Sequence, residues 1–214
     1  MSARELGYAW IGISDHSMSA RYAGGMNLKT VRRQQAEIES LRAEAGIAVL
    51  GGVECDIQRD GSLDYPDEVL ATFDFVIASI HTHMDMDAAA MTGRIITALK
   101  NPRTSILAHP TGRLLLARQA YELDIDAVLE EAIKQRVVVE LNAHPWRLDL
   151  DWRLIERFTD AGGLIAISPD AHECAGLSDM RYGIMMARKG MLTAARCLNA
   201  LDLERARQVL RRCA

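Results

Sequence analysis

The chain has few cysteines and no cysteine motif. Its 214 residues include four cysteines, without a Cys-x-x-Cys pair and without the density of a disulfide framework. This usage is typical of a reducing compartment, so the sequence predicts a cytoplasmic protein. No apolar run approaches 18 residues and no charged-then-apolar leader follows Met1, so neither a membrane span nor a signal peptide is expected.

Strong net charge and a phosphate-binding glycine motif are also lacking. A net charge of -4 and a pI near 5.9 give no global attraction to nucleic acid or to an anionic membrane, although a local basic rim is compatible with them. No glycine-rich fingerprint follows the first strand-like segment, which argues against a dinucleotide-binding domain. The length and the 49% hydrophobic composition predict one domain over residues 1–214 with one substantial core.

What the sequence does have is a regular alternation of strand-like and helix-like segments. Short apolar runs predict six strands, at about residues 8–14, 47–53, 73–80, 105–108, 137–141 and 164–167. Helical patterns predict helices at about 28–45, 67–71, 87–99, 125–135 and 152–161, and a mostly helical chain after residue 180. Near-continuous apolar strands are typical of a parallel sheet covered on both faces.

Side chains with metal-binding chemistry follow the predicted strands. The residues at or just after the strand ends are His16, Glu54, His81, His109, Asn142, Asp170 and His172. A barrel brings the carboxyl ends of all its strands to one rim, so this distribution favours a closed parallel barrel over an open doubly wound sheet. Imidazole and carboxylate groups are suitable ligands for zinc or manganese. The pattern therefore predicts a metal site at one rim.

Each of these residues also has an ordinary structural explanation. A single histidine after a strand is more often a loop residue than a ligand, and Glu54 or Asp170 could form an ion pair or begin a turn. Five of the six histidines fall at predicted strand ends, which favours the joint metal-site interpretation. The role of His83 beside His81 stays open, and His144 is expected to line the cleft rather than to bind the metal.

The strand-end motifs resemble the PHP (polymerase and histidinol phosphatase) domain. In chain order they are Ser14-Asp-His-Ser17, Gly52-x-Glu54-x-Asp56, Ser79-x-His81, His109-Pro-Thr-Gly-Arg113, Glu140-x-Asn142 with Arg147-x-Asp149, and Asp170-Ala-His172. They cover almost the whole chain in the family's order. His-Pro-Thr-Gly-Arg together with Arg-Leu-Asp-Leu is most similar to the C-terminal PHP module of bacterial and archaeal X-family DNA polymerases.

The resemblance implies a distorted (β/α)7 TIM-like barrel that hydrolyses phosphoesters with up to three Zn²⁺ or Mn²⁺ ions. It implies a metal shell of His16, Glu54, His81, His109, Asp170 and His172, in which Glu54 bridges two ions. It implies catalytic roles for Glu54, Asp170, His172 and Arg113, and substrate binding by Arg113, Asn142, His144 and Arg147. The expected substrate is a DNA 3′ end, as for a 3′–5′ exonuclease or 3′-phosphatase, or a small phosphomonoester, as for histidinol phosphatase.

One departure from the family leaves alternatives open. The family begins with a strand that ends in His-x-His, and no such motif precedes His16. The chain is therefore expected to begin one β/α unit late, with six of the usual nine ligands and an open barrel edge that could form a homodimer. A catalytically impaired remnant that binds metal or has a structural role is one alternative. Amidohydrolase-like C–N hydrolysis is another, weakened because no strand ends in lysine.

Overall fold

A wholly parallel sheet of six strands forms the centre of the computed structural model, which describes residues 2–211. The strands are β1 (Trp10–His16), β2 (Ala48–Asp56), β3 (Phe75–Ser79), β4 (Ile106–Leu107), β5 (Val138–Asn142) and β6 (Ile165–Ser168). Their order in space is the order in the chain, and the sheet curls into a half-barrel. The expected TIM-like α/β fold is confirmed at this level.

Helices connect the strands, and most of them cover the outer face of the sheet. They are α1 (Ser2–Glu5), α2 (Leu28–Glu44), α3 (Asp67–Leu70), α4 (Ala88–Lys100), α5 (Ile125–Gln135), α6 (Trp152–Asp160), α7 (Met180–Lys189) and α8 (Leu203–Leu210). Side-chain oxygens accept hydrogen bonds from the first turns of five helices and fix where they begin, namely those of Asn27, Asp87, Asp124, Asp151 and Asp202. Within residues 2–211, every helix is too short or too polar to cross a membrane.

The concave face of the sheet changes from apolar to polar along each strand. Alternate residues of a strand point to the same face, so Leu50 of β2 lies on the same side as Glu54. Leu50 belongs to an inner apolar cluster with Phe75, Ile106, Val138 and Ala166, one residue from each of five strands. Residues Ala206 and Leu210 of α8 pack against this cluster at the apolar end. The carboxyl ends of the strands therefore form a polar rim above an apolar floor.

The two edges of the sheet differ. At β6, the Asn199 side chain accepts a hydrogen bond from the amide of Ile167 at 2.7 Å and donates one to its carbonyl at 2.9 Å. It thus takes the place of a neighbouring strand. At β1, no strand or side chain of residues 2–211 pairs with the outer edge between Trp10 and Ser14. A cleft of about 1120 Å³ separates the two edges.

Replacing Asn199 by alanine should expose the edge of β6. Both hydrogen bonds to Ile167 are lost, which removes about 1–2 kcal/mol of stability and lowers the melting temperature by roughly 3–6 °C. Asn199→Asp keeps the acceptor and loses the donor, so its melting temperature should lie between those of the wild type and Asn199→Ala. Thermal unfolding followed by circular dichroism measures this order, and an unchanged melting temperature in Asn199→Ala would show that water replaces the amide at no cost.

Candidate metal centre

The carboxylate of Glu54 lies among three histidines from three other strands or strand ends. Its Oε1 is 3.1 Å from His109 Nε2 and 3.3 Å from His81 Nε2, and its Oε2 is 3.5 Å from His16 Nδ1. All four side chains are mostly buried. Ligand atoms of His16, Glu54 and His81 lie within 4.8 Å of one another, which is close enough for one metal ion to contact all three.

The charges in this cluster suit a cation. Burial would raise the pKa of Glu54, but hydrogen bonds from His109 and His81 outweigh burial and hold it well below its usual range. Burial would likewise lower the pKa of His81, yet Asp56 and Glu54 raise it to about 9. Burial lowers the pKa of His16 despite the attraction of Glu54. Glu54 and His16 are thus in the forms that bind metal, whereas His81 would release a proton when it binds a metal ion.

Two buried nitrogen atoms support the presence of a ligand. His16 Nδ1 and His109 Nδ1 are buried and have no hydrogen-bond partner among residues 2–211. An unsatisfied buried polar group costs about 1–3 kcal/mol, a cost that a metal ion or its bound water would remove. The φ angles of His109 and Asp170, 25° and 52°, are also unfavourable for residues other than glycine, and such strain is concentrated at functional sites. The residues present therefore fit a metal ion.

Asp56 orients His81 through the ring nitrogen that faces away from Glu54. Its carboxylate accepts a hydrogen bond from His81 Nδ1 and another from Ser19 Oγ, the latter at 2.7 Å. With Nδ1 held in this way, Nε2 of His81 is turned toward Glu54. A carboxylate on the second nitrogen is the usual support of a metal-bound histidine. Asp56 lies two residues after Glu54 on the same face of β2, so strand alternation predicts this role.

Arg94 fixes the loops that follow β2 and β3. This buried side chain of α4 donates hydrogen bonds to the carbonyls of Ile57 and Gln58 (2.8 Å for Gln58) and of Thr82 and His83 (3.0 and 3.3 Å). It therefore joins the loop after Asp56 to the loop after His81. The His83 side chain itself is exposed, and no sequence pattern indicated that a helical arginine would be buried here.

Asp170 and His172 lie on the side of the centre next to His16. Asp170 Oδ2 accepts a hydrogen bond from Asn142 Nδ2 at 3.1 Å and pairs with Arg147 Nε at 3.1 Å. The exposed His172 ring is 5.9 Å from the His16 ring, and its Nδ1 is 2.9 Å from the Asp170 carbonyl. Asn142 and Arg147, which were expected to contact substrate, thus contact Asp170 in this structure.

Arg113, expected to bind substrate phosphate, instead contacts a neighbouring loop of the protein. Its guanidinium donates to the carbonyls of Arg147, at 3.1 Å, and Leu148, and to Asp151 at 2.9 Å. The reason is chemical, because a guanidinium that suits two phosphate oxygens suits carbonyl and carboxylate oxygens equally well. Three of its five N–H groups are occupied, so in this structure Arg113 holds the loop that carries Arg147.

A side chain of the 147–151 loop also bonds back to the 109–113 loop. Asp149 Oδ2 accepts a hydrogen bond from the amide of Thr111 at 3.0 Å. His144 closes the turn before Arg147, because its Nδ1 accepts a hydrogen bond from the Trp146 amide at 3.3 Å. The segments 109–113 and 147–151, which form two of the sequence motifs, therefore interlock and place Arg147 beside Asp170.

Comparison with known proteins identifies relatives of two kinds. The chain is 42% identical over 207 residues to DNA polymerase/3′-5′ exonuclease PolX of Bacillus subtilis strain 168, a match over 96% of the chain and 36% of PolX. It is 26% identical over 166 residues to a probable phosphatase of Aeromonas hydrophila, covering 73% of the chain and 65% of that protein. A probable phosphatase of Caldanaerobacter subterraneus is 30% identical over 139 residues, covering 60% and 52%. These relatives are consistent with the PHP family.

The resemblance that the motifs predicted is thereby confirmed. The chain spans about a third of the length of PolX and about half to two-thirds of the two phosphatases. No protein-family model matches it. The shared segment of PolX aligns with nearly all of the chain, so all the motifs discussed above lie within a region related to that polymerase.

The role of Arg113 can be tested against an exposed arginine that shares its partner. Arg113→Lys loses most of the contacts to the 147–151 loop, which should cost about 2 kcal/mol and lower the melting temperature by roughly 4–8 °C. Arg153 also pairs with Asp151 but is exposed, so Arg153→Lys should leave the melting temperature nearly unchanged. Equal melting temperatures for the two variants, measured by calorimetry, would contradict the interlock.

Proposed function

We propose that this chain is a metal-dependent phosphoesterase with its active site at the carboxyl ends of the strands. The observation that carries the proposal is the convergence of His16, Glu54 and His81, whose ligand atoms lie within 4.8 Å of one another. Relatives named as a 3′-5′ exonuclease and as probable phosphatases support the same chemistry. Both names describe hydrolysis of phosphoesters.

The proposed metal shell extends beyond these three residues. The ligands would be His16, Glu54, His81, His109, Asp170 and His172, and the ions Zn²⁺ or Mn²⁺. Glu54 directs Oε2 toward His16 and Oε1 toward His81 and His109, an arrangement that allows it to bridge two ions. Bound divalent ions would supply an acidified water molecule and stabilise the charge on the phosphoryl oxygens.

The protein's own groups would bind the substrate and move the proton. Arg147 uses Nε on Asp170, and its terminal N–H groups would donate to the phosphoryl oxygens from one side. Asn142 and His144 would line the same side. Water gives up a proton to solvent and adds to phosphorus, the bond from phosphorus to the leaving oxygen breaks, and that oxygen takes up a proton. Where His172 is not bound to metal, its exposed imidazole is proposed to deliver that proton.

The proposed substrate is a phosphodiester at a DNA 3′ end. The similarity to PolX favours it, and the chain's net charge of -4 requires that affinity come from the rim rather than from a basic face. Hydrolysis of a phosphomonoester, as by a 3′-phosphatase or a histidinol-phosphatase-like enzyme, is the second candidate. It is favoured by the relatives that are named as probable phosphatases.

Removing the charge of Glu54 tests both metal binding and hydrolysis. The wild-type chain should retain at least one but fewer than three Mn²⁺ or Zn²⁺ ions after dialysis, as measured by elemental analysis. Glu54→Gln, which keeps the shape of the side chain, should retain none and should hydrolyse a phosphodiester roughly 100-fold or more slowly. The matched control is Asp60→Asn, an exposed carboxylate bonded to Ser62 in the loop after β2. Full metal content and activity in Glu54→Gln would refute the proposed site.

A homodimer formed through the outer edge of β1 is part of the proposal. Ala9 and Ser17 bond to β2 through their backbone, so alternate residues between them, including Gly12 and Ser14, direct backbone groups away from β2. Residues 8–14 contain no proline and no charge that would prevent another strand from pairing. The fuller barrel that the family resemblance implies would also close at this cleft.

Proline substitutions distinguish the two sides of β1. Ser14→Pro removes an amide that faces the cleft, so it should reduce self-association, measured by sedimentation over a range of concentrations, with little change in melting temperature. Ile13→Pro removes an amide that bonds to β2 and should lower the melting temperature by several degrees. A wild-type chain that stays monomeric at every concentration would end the dimer proposal without affecting the proposed chemistry.

A further inference from the structure

The Tyr22 ring lies at the mouth of the candidate metal centre. It belongs to the short 3-10 turn Arg21–Ala23 that follows β1. Its ring centroid is 6.4 Å from that of His16 and 6.3 Å from that of His81, while 71% of the residue is exposed to solvent. A molecule bound at the two histidines would therefore lie close to this ring.

The exposure of Tyr22 shows that it contributes little to the fold. Within residues 2–211 its hydroxyl has no hydrogen-bond partner, and its ring is not part of either apolar cluster. Isolated surface aromatics are common, so exposure alone indicates nothing. Its position beside two metal-binding candidates is the informative feature, because a flat apolar surface is available where a substrate would bind.

Positive charge is held near the Tyr22 ring. Burial and the carboxylates of Asp56 and Glu54 raise the pKa of Tyr22, and the guanidinium groups of Arg147 and Arg118 act against that rise from nearby. Both are fixed in place, Arg147 by Asp170 and Arg118 by two hydrogen bonds to the Gly112 carbonyl at 3.0 and 2.7 Å. The rim thus offers its fixed arginine cations to a phosphate. It offers the Tyr22 ring to a flat, uncharged ring of the same ligand.

Nucleotides carry both of these chemical groups, whereas glycerol and sugar phosphates have no flat ring and histidinol phosphate has only a five-membered imidazole. Stacking of a base on an aromatic side chain contributes about 1–3 kcal/mol and tolerates any base sequence, since every base has a π-face. A base within a duplex is covered by its neighbours on both sides. The Tyr22 ring can therefore stack on a terminal or unpaired base only.

We propose that Tyr22 stacks on the base of the nucleotide whose phosphate occupies the metal centre, which makes the centre selective for an unpaired 3′ end of a nucleic acid. This inference rests on the proposed phosphoesterase function and specifies its substrate. Tyr22 is a specificity-determining residue in this proposal, and it takes no part in breaking the phosphoester bond.

Stacking can be measured without hydrolysis. The probe is a short single-stranded oligonucleotide with 2-aminopurine at its 3′ end and a phosphorothioate as the last linkage. Wild type and Tyr22→Phe should quench the fluorescence of the terminal 2-aminopurine and bind with similar affinity. Tyr22→Ala should lose the quenching and bind about 5- to 150-fold more weakly. Tyr8→Ala, at the opposite end of β1, is the control and should behave like wild type.

Hydrolysis gives a second, independent comparison. The wild-type chain should have a lower kcat/KM for an oligonucleotide with an abasic 3′-terminal residue than for the matched normal one. Tyr22→Ala should be equally slow on both, and its rate on glycerol phosphate should equal that of wild type. If Tyr22→Phe is as impaired as Tyr22→Ala, the hydroxyl rather than the ring acts on the substrate, and the stacking proposal is wrong.

Failure of this inference can be separated from failure of the proposed function. Quenching that depends on Tyr22 in a chain that hydrolyses no phosphoester would support the binding role and refute the phosphoesterase. Hydrolysis of oligonucleotides with equal rates in wild type and Tyr22→Ala would support the phosphoesterase and refute stacking. A wild-type chain that does not bind the probe would also overturn the inference.

Discussion

The burial of one carboxylate, that of Glu54, is the constraint on which the rest of the structure depends. Removing an ionised carboxylate from water costs several kcal/mol unless charged or hydrogen-bonded partners replace the water. Here the partners are His16, which lies opposite Glu54 in the β1–β2 register, and the histidines that follow β3 and β4. Four consecutive strands must be in place before Glu54 is satisfied, so the fold and the candidate metal centre stabilise each other.

The floor beneath Glu54 explains why this carboxylate stays dry. Gly12 and Gly52 face the interior, where a Cβ atom on either would lie 2.8 or 2.4 Å from the ring of Phe75. The absence of side chains at these two positions lets Phe75 fill the space between β1 and β2. An apolar floor lowers the local dielectric constant, which strengthens the interactions between Glu54 and the histidines and would strengthen those with a cation.

The sequence predicted the parts of the molecule that local patterns determine. Apolar runs of strand length that end in His or Glu indicated six strands and a polar rim, and the sheet has six parallel strands with those residues at their carboxyl ends. Strand alternation would also have indicated Asp56. The parts that it did not predict depend on contacts between distant segments. The Asn199 side chain bonds to the backbone of Ile167, which is 32 residues away in the sequence. The Tyr22 ring comes near His81 only after the strands have paired.

Arginine residues were the most difficult to assign from sequence, and the reason shows how the centre could work. Arg113 and Arg147 have the same chemistry, yet one holds a loop while the other faces Asp170. A carboxylate that pairs with an arginine cannot give its full charge to a cation, and the arginine cannot give all its donors to a phosphate. If Asp170 binds a metal ion as proposed, its attraction for Arg147 weakens and the guanidinium becomes free to meet the phosphate. Metal and substrate would then bind cooperatively, because each removes a competitor of the other.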